Sequence, residues 1–168
     1  TSPDSIVRQE VVAAAAKISS AAVNDANGFD MQLNQGFDLV KYAALHDEDP
    51  FVRREACRVI IALDRPETAV ILRHVAKNDE DKDVQLKAIQ GLKEFDDKDT
   101  LETLRQLLDN RQPALCYEAM QSLKVCTKQD FGDDAYRWKQ YLNGETPDPQ
   151  HAPSVAERLR LTQLPMFN

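Results

Sequence analysis

An amphipathic helix that recurs at a fixed spacing constrains this chain more than any other feature. The template begins with the acidic turn Asp47-Glu48-Asp49. Apolar residues then follow at helical spacing, at Val52, Ala56, Val59, Ile60 and Leu63. The same stripe starts again at Val84, 32 residues after Val52, and at Leu115, 31 residues after Val84. A helical unit repeated at this period predicts a stack of repeats that bury their apolar faces against one another.

Another helix precedes each recurring helix, so the repeating unit is a helix pair. The preceding stretches are residues 37–45, 68–76 and 100–108, and their apolar positions share one register. Residues 7–20 repeat only the second helix of a pair. The sequence therefore predicts an all-α superhelix, or solenoid, of three complete pairs and a leading half-pair. We expect a further helix, or another covering element, to precede Val7 in the native protein.

Two stretches depart from the repeat. Residues 22–36 contain Asn, Asp and Gly at the spacing of turns and predict a long loop. Residues 131–143 carry an apolar stripe that includes Trp138. Because the last repeat of a solenoid needs its open core covered, this stretch predicts a capping helix with Trp138 as its main buried side chain.

The C-terminal part has a different composition from the repeats. Residues 144–168 contain several prolines and predict a linker, a short helix at 154–163 and an apolar tail. We expect the tail to fold back on the domain or to dock on a partner chain. The predicted domains are therefore a capped solenoid at 1–143 and the linker with its tail at 144–168. The apolar tail residues are Leu159, Leu161, Leu164, Met166 and Phe167.

With 168 residues the chain is long enough to bury a sizeable core. Its formal charge of −7 argues against a general polyanion binder. No apolar run reaches the length of a membrane span. The predicted core consists of the repeating apolar positions together with the capping tryptophan: Val52, Ala56, Ile60, Leu72, Val75, Val84, Ala88, Leu92, Leu104, Leu107, Leu123 and Trp138.

The three cysteines are Cys57, Cys116 and Cys126, and no pair of them has zinc-ligand spacing. A disulfide between Cys116 and Cys126 is excluded, because ten residues of one predicted helix separate them. Small buried hydrophobes are the expected role of all three. Unpaired cysteines favour a reducing compartment such as the cytoplasm, but they leave the location open. A bacterial cell envelope is the alternative if a targeting segment lies upstream of Thr1.

The repeating pattern resembles HEAT repeats across roughly residues 3–128. The resemblance is carried by the acidic turn, the Val-Arg pair at Val52 and a small residue four positions later, with partial copies at Val84, Leu115 and Val7. Arg is replaced by Gln85 and Cys116 in the later copies, so a ladder of Asp–Arg pairs along the turns is expected to be only partial. The segment 130–142 looks like the Trp-containing helix that follows such repeats in some bacterial proteins, which favours a bacterial source.

The sequence offers no recognisable catalytic constellation. The dipeptides His46-Asp47 and His74-Val75 do not match the adjacent His-Glu pairs of HEAT-like iron hydroxylases. No phosphate-binding loop and no nucleophile in a familiar setting is present, and the acidic turns lack the spacing of a calcium loop. No enzyme activity, metal or cofactor is therefore predicted. The resemblance leaves two alternatives open: a HEAT-like nucleic-acid-binding or DNA glycosylase domain, and a bilin lyase-like enzyme.

The predicted function is a non-catalytic protein-binding or scaffolding module. HEAT-like solenoids usually place their second helices on the concave side, and we call the solvent-facing positions of these helices the second-helix face. These positions contain no acid in a chain with 28 acidic residues, and they include both apolar and basic residues. An acidic, partly apolar segment of another protein would complement this face, with no nucleic acid involved. The predicted contact residues are Arg54, Arg58, Ile61, Leu86, Gln90, Lys93, Tyr117, Gln121 and Lys124.

Overall fold

The computed structural model describes residues 4–6, 8, 10, 12–14, 17, 30–149, 151 and 152. Every described residue between 4 and 17 is helical. The part of the chain that the structure describes contains helices and no strand, which confirms the all-α fold class. The helices from residue 30 onwards are α1 (Asp30–His46), α2 (Pro50–Leu63), α3 (Thr68–Asn78), α4 (Lys82–Leu92), α5 (Lys98–Leu107), α6 (Pro113–Thr127) and α7 (Ala135–Leu142).

The three predicted helix pairs are present as α1 with α2, α3 with α4, and α5 with α6. The predicted loop at 22–36 is wrong over its last residues, because α1 already begins at Asp30. The residues with turn chemistry, at positions 24–28, all precede α1. Gly36 lies inside the helix, where one glycine costs only about 1 kcal/mol relative to Ala. Packing of α1 along α2 outweighs that cost. Residues 22–29 lie outside the described part of the chain.

The capping helix begins four residues later than predicted, at Ala135 rather than residue 131. Asp134 sets this start, because its carboxylate accepts hydrogen bonds from the backbone N–H groups of Tyr136 and Arg137 at 3.0 and 3.1 Å. Asp134 has extended backbone angles, as an N-cap residue requires. The predicted helix at 154–163 and the apolar tail lie outside the described residues, and the domain division at 143/144 stays a prediction.

The chain forms two compact units, Thr1–Gly91 and Leu92–Asn168. In the first unit, α1 packs along α2, and α3 contacts both helices. The predicted core positions of this unit are confirmed as buried. They are Val52, Ala56, Ile60, Leu72, Val75, Val84 and Ala88.

In the second unit, α5, α6 and α7 pack against one another. Its predicted core residues Leu92, Leu104, Leu107, Leu123 and Trp138 are also buried. The Trp138 indole N–H donates to the Gly132 carbonyl oxygen at 3.0 Å, so its polar group is satisfied although the ring is fully buried. The prediction of Trp138 as the main buried side chain of α7 is therefore confirmed.

The turn inside each helix pair has the same local geometry. The side-chain oxygens of Asp47, Asp79 and Asn110 each accept a hydrogen bond from the backbone N–H two residues further on, at 2.9, 2.9 and 2.8 Å. Such Asx turns bend the chain between the two helices. The repeat seen in the sequence therefore corresponds to an equivalent side-chain hydrogen bond in each of the three turns.

Two arginines connect successive turns within the first unit. Arg53 donates through Nε and Nη2 to both carboxylate oxygens of Asp79 at 2.8 Å, and through Nη1 to the Asp47 carbonyl oxygen at 2.9 Å. Arg8 Nε donates to Asp47 Oδ2 at 3.0 Å. Gln85, at the next equivalent position, donates instead to the Ala76 carbonyl oxygen at 3.3 Å. The described residues therefore contain the partial Asp–Arg ladder that the sequence predicts.

Gly91 lets α4 approach α2 and α3 closely. A Cβ atom at this position would lie 2.6 Å from Cγ1 and Cδ1 of Ile61 and 2.8 Å from Cδ1 of Leu72. Real Cβ contacts are not this short, so a side chain at residue 91 would force its neighbours to move. Close packing therefore requires a residue without a side chain at this position, although a glycine inside a helix lowers the stability of that helix.

Gly91→Ala should destabilise the protein although it improves helix propensity. Overpacking costs about 1–3 kcal/mol, and the gain in propensity offsets roughly 1 kcal/mol of this. The free energy of unfolding in urea measures the net effect. In an Ile61→Ala background the penalty of Gly91→Ala should shrink, because the two nearest atoms are gone and only Leu72 Cδ1 remains close. An equal penalty in both backgrounds would contradict the packing explanation.

Arg53→Met should destabilise the protein by about 3–5 kcal/mol, because it leaves the Asp79 carboxylate buried without its charged partner. Both side chains of this pair are only 7% exposed. Arg58→Met is the matched control, since Arg58 forms an exposed pair with Glu55 and should cost at most about 1 kcal/mol. Urea denaturation of the two variants gives the comparison, and similar losses would show that the Arg53 pair has no special role.

Candidate functional site

The first unit places three of the predicted contact residues along α2. The side chains of Arg54 and Arg58 are 44% and 54% exposed, as the second-helix face requires. Ile61 is half-buried, because it leans into the space that Gly91 leaves open. On α4, Gln90 is exposed and Leu86 is half-buried.

The second unit contains the remaining four residues. Tyr117 and Gln121 on α6 are half-buried, and Lys124 is exposed. Lys93 is exposed but lies one residue beyond the end of α4, so its predicted place on the helix is wrong. There the chain turns, with the Phe95 N–H donating to the Leu92 carbonyl oxygen at 3.0 Å.

The sequence places Ile61, Leu86 and Tyr117 among the exposed residues of this face, whereas all three are half-buried. Helical periodicity, counted along one helix, assigns each side chain either to the core or to solvent. It does not account for side chains of a neighbouring helix, which partly cover residues at the edge of the apolar stripe. The second-helix face is therefore less apolar than the sequence predicts.

Phe51 is an exposed aromatic residue of this face that the sequence reasoning missed. It lies immediately before Val52 in the template and is 49% exposed. The guanidinium carbon of Arg54 lies 5.1 Å from the centre of its ring, in cation–π geometry. The spacing of Phe51, Arg54 and Arg58 along one side of a helix was the signal that could have identified it.

Each cation of the face has an acidic residue nearby. Arg58 is bound to both carboxylate oxygens of Glu55, with donor–acceptor distances of 2.5–3.0 Å. Lys124 pairs with Asp130, and 3.9 Å separates Lys93 Nζ from Glu94 Oε1. Arg54 has the loosest pairing, with 4.0 Å between its Nη1 and Asp83 Oδ2. The face is consequently close to charge balance, and Arg54 is the cation most available to a partner.

These pairs also affect proton binding. The hydrogen bond to Glu55 raises the pKa of Arg58, and the hydrogen bond to Asp130 raises the pKa of Lys124. Both side chains therefore stay fully charged at neutral pH. Neither is tuned toward acid–base catalysis, which requires a pKa near the working pH.

The cysteines do not provide a nucleophile. Burial raises the pKa of Cys57 to about 12 and that of Cys126 to about 11. Cys116 is buried, and its thiol donates to the Leu108 carbonyl oxygen at 3.3 Å. A thiol with so high a pKa is protonated at neutral pH and unreactive. The role of small buried hydrophobe is confirmed for Cys57 and Cys116, whereas Cys126 is half-buried.

The histidines serve local contacts. His46 packs its ring against Tyr42, His74 lies next to Asn78, and His151 Nδ1 is 2.6 Å from Asp134 Oδ2. Among the residues that the structure describes, no group of three or more His, Cys, Asp and Glu side chains is arranged to hold a metal ion. No helix in the described part of the chain has both the length and the apolarity to cross a membrane.

The family model of HEAT repeats matches residues 71–135, which include α4, α5 and α6. Residues 71–135 therefore match HEAT repeats, and the resemblance noted in the sequence is confirmed over this part of the chain. HEAT repeats generally mediate protein–protein interaction or scaffolding and are typically non-catalytic. No curated protein and no solved structure matches the chain. The bacterial source and the cellular compartment stay predictions.

Thiol labelling tests the burial of the cysteines. At pH 8 a thiol of pKa about 11 has roughly one thousandth of its population as thiolate, so Cys126 should react slowly with iodoacetamide. Cys57 should react only when urea unfolds the protein, because it is fully buried. Peptide mapping by mass spectrometry gives the rate at each site. Rapid labelling of Cys57 in native conditions would contradict its place in the core.

Proposed function

We propose that this chain is a non-catalytic module that binds another protein through its second-helix face, with Phe51 and Arg54 as the main contact. The observation that carries the proposal is the exposed Phe51 ring with the Arg54 guanidinium against it. Aromatic residues and arginines contribute most of the binding energy in protein interfaces. Burying the exposed half of Phe51 would also recover free energy from the hydrophobic effect.

The charges around Phe51 favour an acidic and partly apolar partner segment. Arg54 is 4.0 Å from Asp83, so a carboxylate of the partner can approach it at a shorter distance. Arg58 is already bound to both oxygens of Glu55 and would contribute through its hydrophobic stem. The partly exposed edges of Ile61 and Leu86 would extend the apolar contact, and Gln90 would add hydrogen bonds at its border.

The same observations disfavour the nucleic-acid-binding alternative. A nucleic-acid surface needs cations free to contact phosphates, whereas each cation of this face has an acid within 4.0 Å. The formal charge of −7 adds long-range repulsion. No contact among the described residues favours the bilin lyase alternative.

The test compares partner binding by variants of matched exposure. Affinity capture from the source cell, followed by calorimetric titration of the purified partner, gives the dissociation constant for the wild type. Phe51→Ala and Arg54→Glu should each weaken binding by about 30-fold, the effect of losing a hot-spot residue. Tyr42→Ala is the control, because Tyr42 is an aromatic residue of α1 that is 65% exposed and outside the second-helix face.

Circular dichroism should show that all three variants fold as the wild type does, since the substituted side chains are exposed. Unchanged affinity in Phe51→Ala and Arg54→Glu would reject this face as the binding site. An equal loss in Tyr42→Ala would show that the effect is not specific to the second-helix face.

A further inference from the structure

The loop between α6 and α7 contacts the second-helix face of the second unit. This loop, residues 128–134, is here named the acidic loop. Its Asp130 carboxylate pairs with Lys124 Nζ, and its Asp133 Oδ1 accepts from Gln121 Nε2 at 3.4 Å. Gln121 and Lys124 are the two polar residues of α6 that the sequence assigns to a partner. Both are therefore engaged by the chain itself.

The acidic loop is fixed by packing on α7. The Phe131 ring packs edge-on against Trp138, with 4.9 Å between ring centres, and lies 5.3 Å from the Tyr141 ring. Trp138 donates to the carbonyl oxygen of Gly132 at 3.0 Å. Gly132 has a φ of +62°, a conformation that glycine adopts without steric cost. The loop thus has a defined conformation beside α6.

The carboxylate of Asp130 is oriented from two sides. Its Oδ1 accepts from the Gly132 backbone N–H at 2.9 Å, and its Oδ2 faces Lys124. The hydrogen bond from Lys124 lowers the pKa of Asp130, with the Gly132 N–H as a second cause. The carboxylate is therefore charged throughout the neutral range and available as a permanent counter-ion to Lys124.

The composition of the acidic loop matches that expected of a partner. Its sequence Asp130-Phe131-Gly132-Asp133-Asp134 is acidic and partly apolar, as the complement of the second-helix face should be. We propose that the acidic loop is an internal ligand that occupies Lys124 and Gln121 and closes this part of the face to acidic segments of other proteins. The proposal rests on the proposed function, and it leaves Phe51 and Arg54 of the first unit as the open contact.

The alternative is an ordinary surface ion pair with no effect on binding. The second unit contains such a pair as an internal control, between Lys139 and Asp109. Asp109 follows α5 and does not belong to the acidic loop. Removing its charge changes the net charge of the protein without releasing Lys124.

The experiment uses a peptide with the sequence of residues 129–134, acetylated and amidated at its ends, as the probe. It is titrated at low ionic strength into the ¹⁵N-labelled wild type, into Asp130→Asn/Asp133→Asn and into Asp109→Asn. The double variant should bind the peptide at least about fivefold more tightly than the wild type, with amide shifts at Lys124 and Gln121. Asp109→Asn should bind as the wild type does.

Three results would overturn the proposal: equal affinity in the wild type and the double variant, absence of binding in both, or shifts that avoid Lys124 and Gln121. None of these results depends on Phe51 or Arg54. Failure of the internal ligand is therefore distinguishable from failure of the proposed function, which the partner titration with Phe51→Ala and Arg54→Glu decides. A gain in affinity cannot arise from unfolding of the variant.

Discussion

The buried ion pair between Arg53 and Asp79 fixes the relation of two successive repeats in the first unit. Burying two charges costs several kcal/mol per ion, and the pair is stable only because its hydrogen bonds are complete. Asp79 receives two bonds from Arg53 and one from the Asp81 N–H, while Arg53 also binds the Asp47 carbonyl oxygen. One side chain therefore holds both turns in register. The spacing of α2 and α4, and with it the position of the second-helix face in this unit, depends on this contact.

The apolar stripes correctly predicted which residues form the core, whereas the exposure of individual surface side chains could be determined only from the structure. Burial of Leu92 or Trp138 follows from helical periodicity alone, because a continuous stripe has to pack against something. The half-burial of Ile61 depends on the space above Gly91, a residue of another helix, which no count along α2 can show. The predicted loop at 22–36 extends to the start of the next repeat, whereas α1 already begins at Asp30 and packs along α2. The solvent-facing positions of the second helices contain no acidic residue, as the sequence shows. Asp83 and Asp130 nevertheless pair with Arg54 and Lys124 of this face from neighbouring positions.

Arg54 and Lys124 differ in how their charges are neutralised. In the first unit Arg54 lies 4.0 Å from its acid and stacks on Phe51, so its charge is available to a new carboxylate. In the second unit Lys124 is bound by Asp130, whose other oxygen is held by the Gly132 N–H. A partner would have to displace an oriented carboxylate in the second case and only a loose one in the first. Equal numbers of charges on a face therefore do not give equal affinity for an acidic segment.

Part of the negative charge of the chain lies at helix starts, where it stabilises the helices. Asp49, Asp97 and Asp134 accept hydrogen bonds from the N–H groups at the starts of α2, α5 and α7. The hydroxyl of Ser5 and the Phe51 N–H lower the pKa of Asp49, so this cap stays charged well below neutral pH. Because helix N-termini attract negative charge, these carboxylates compensate the helix dipoles. A formal charge of −7 is thus compatible with a second-helix face that is nearly neutral, and the recognition proposed for that face would depend on Phe51 and on the pairing of individual cations.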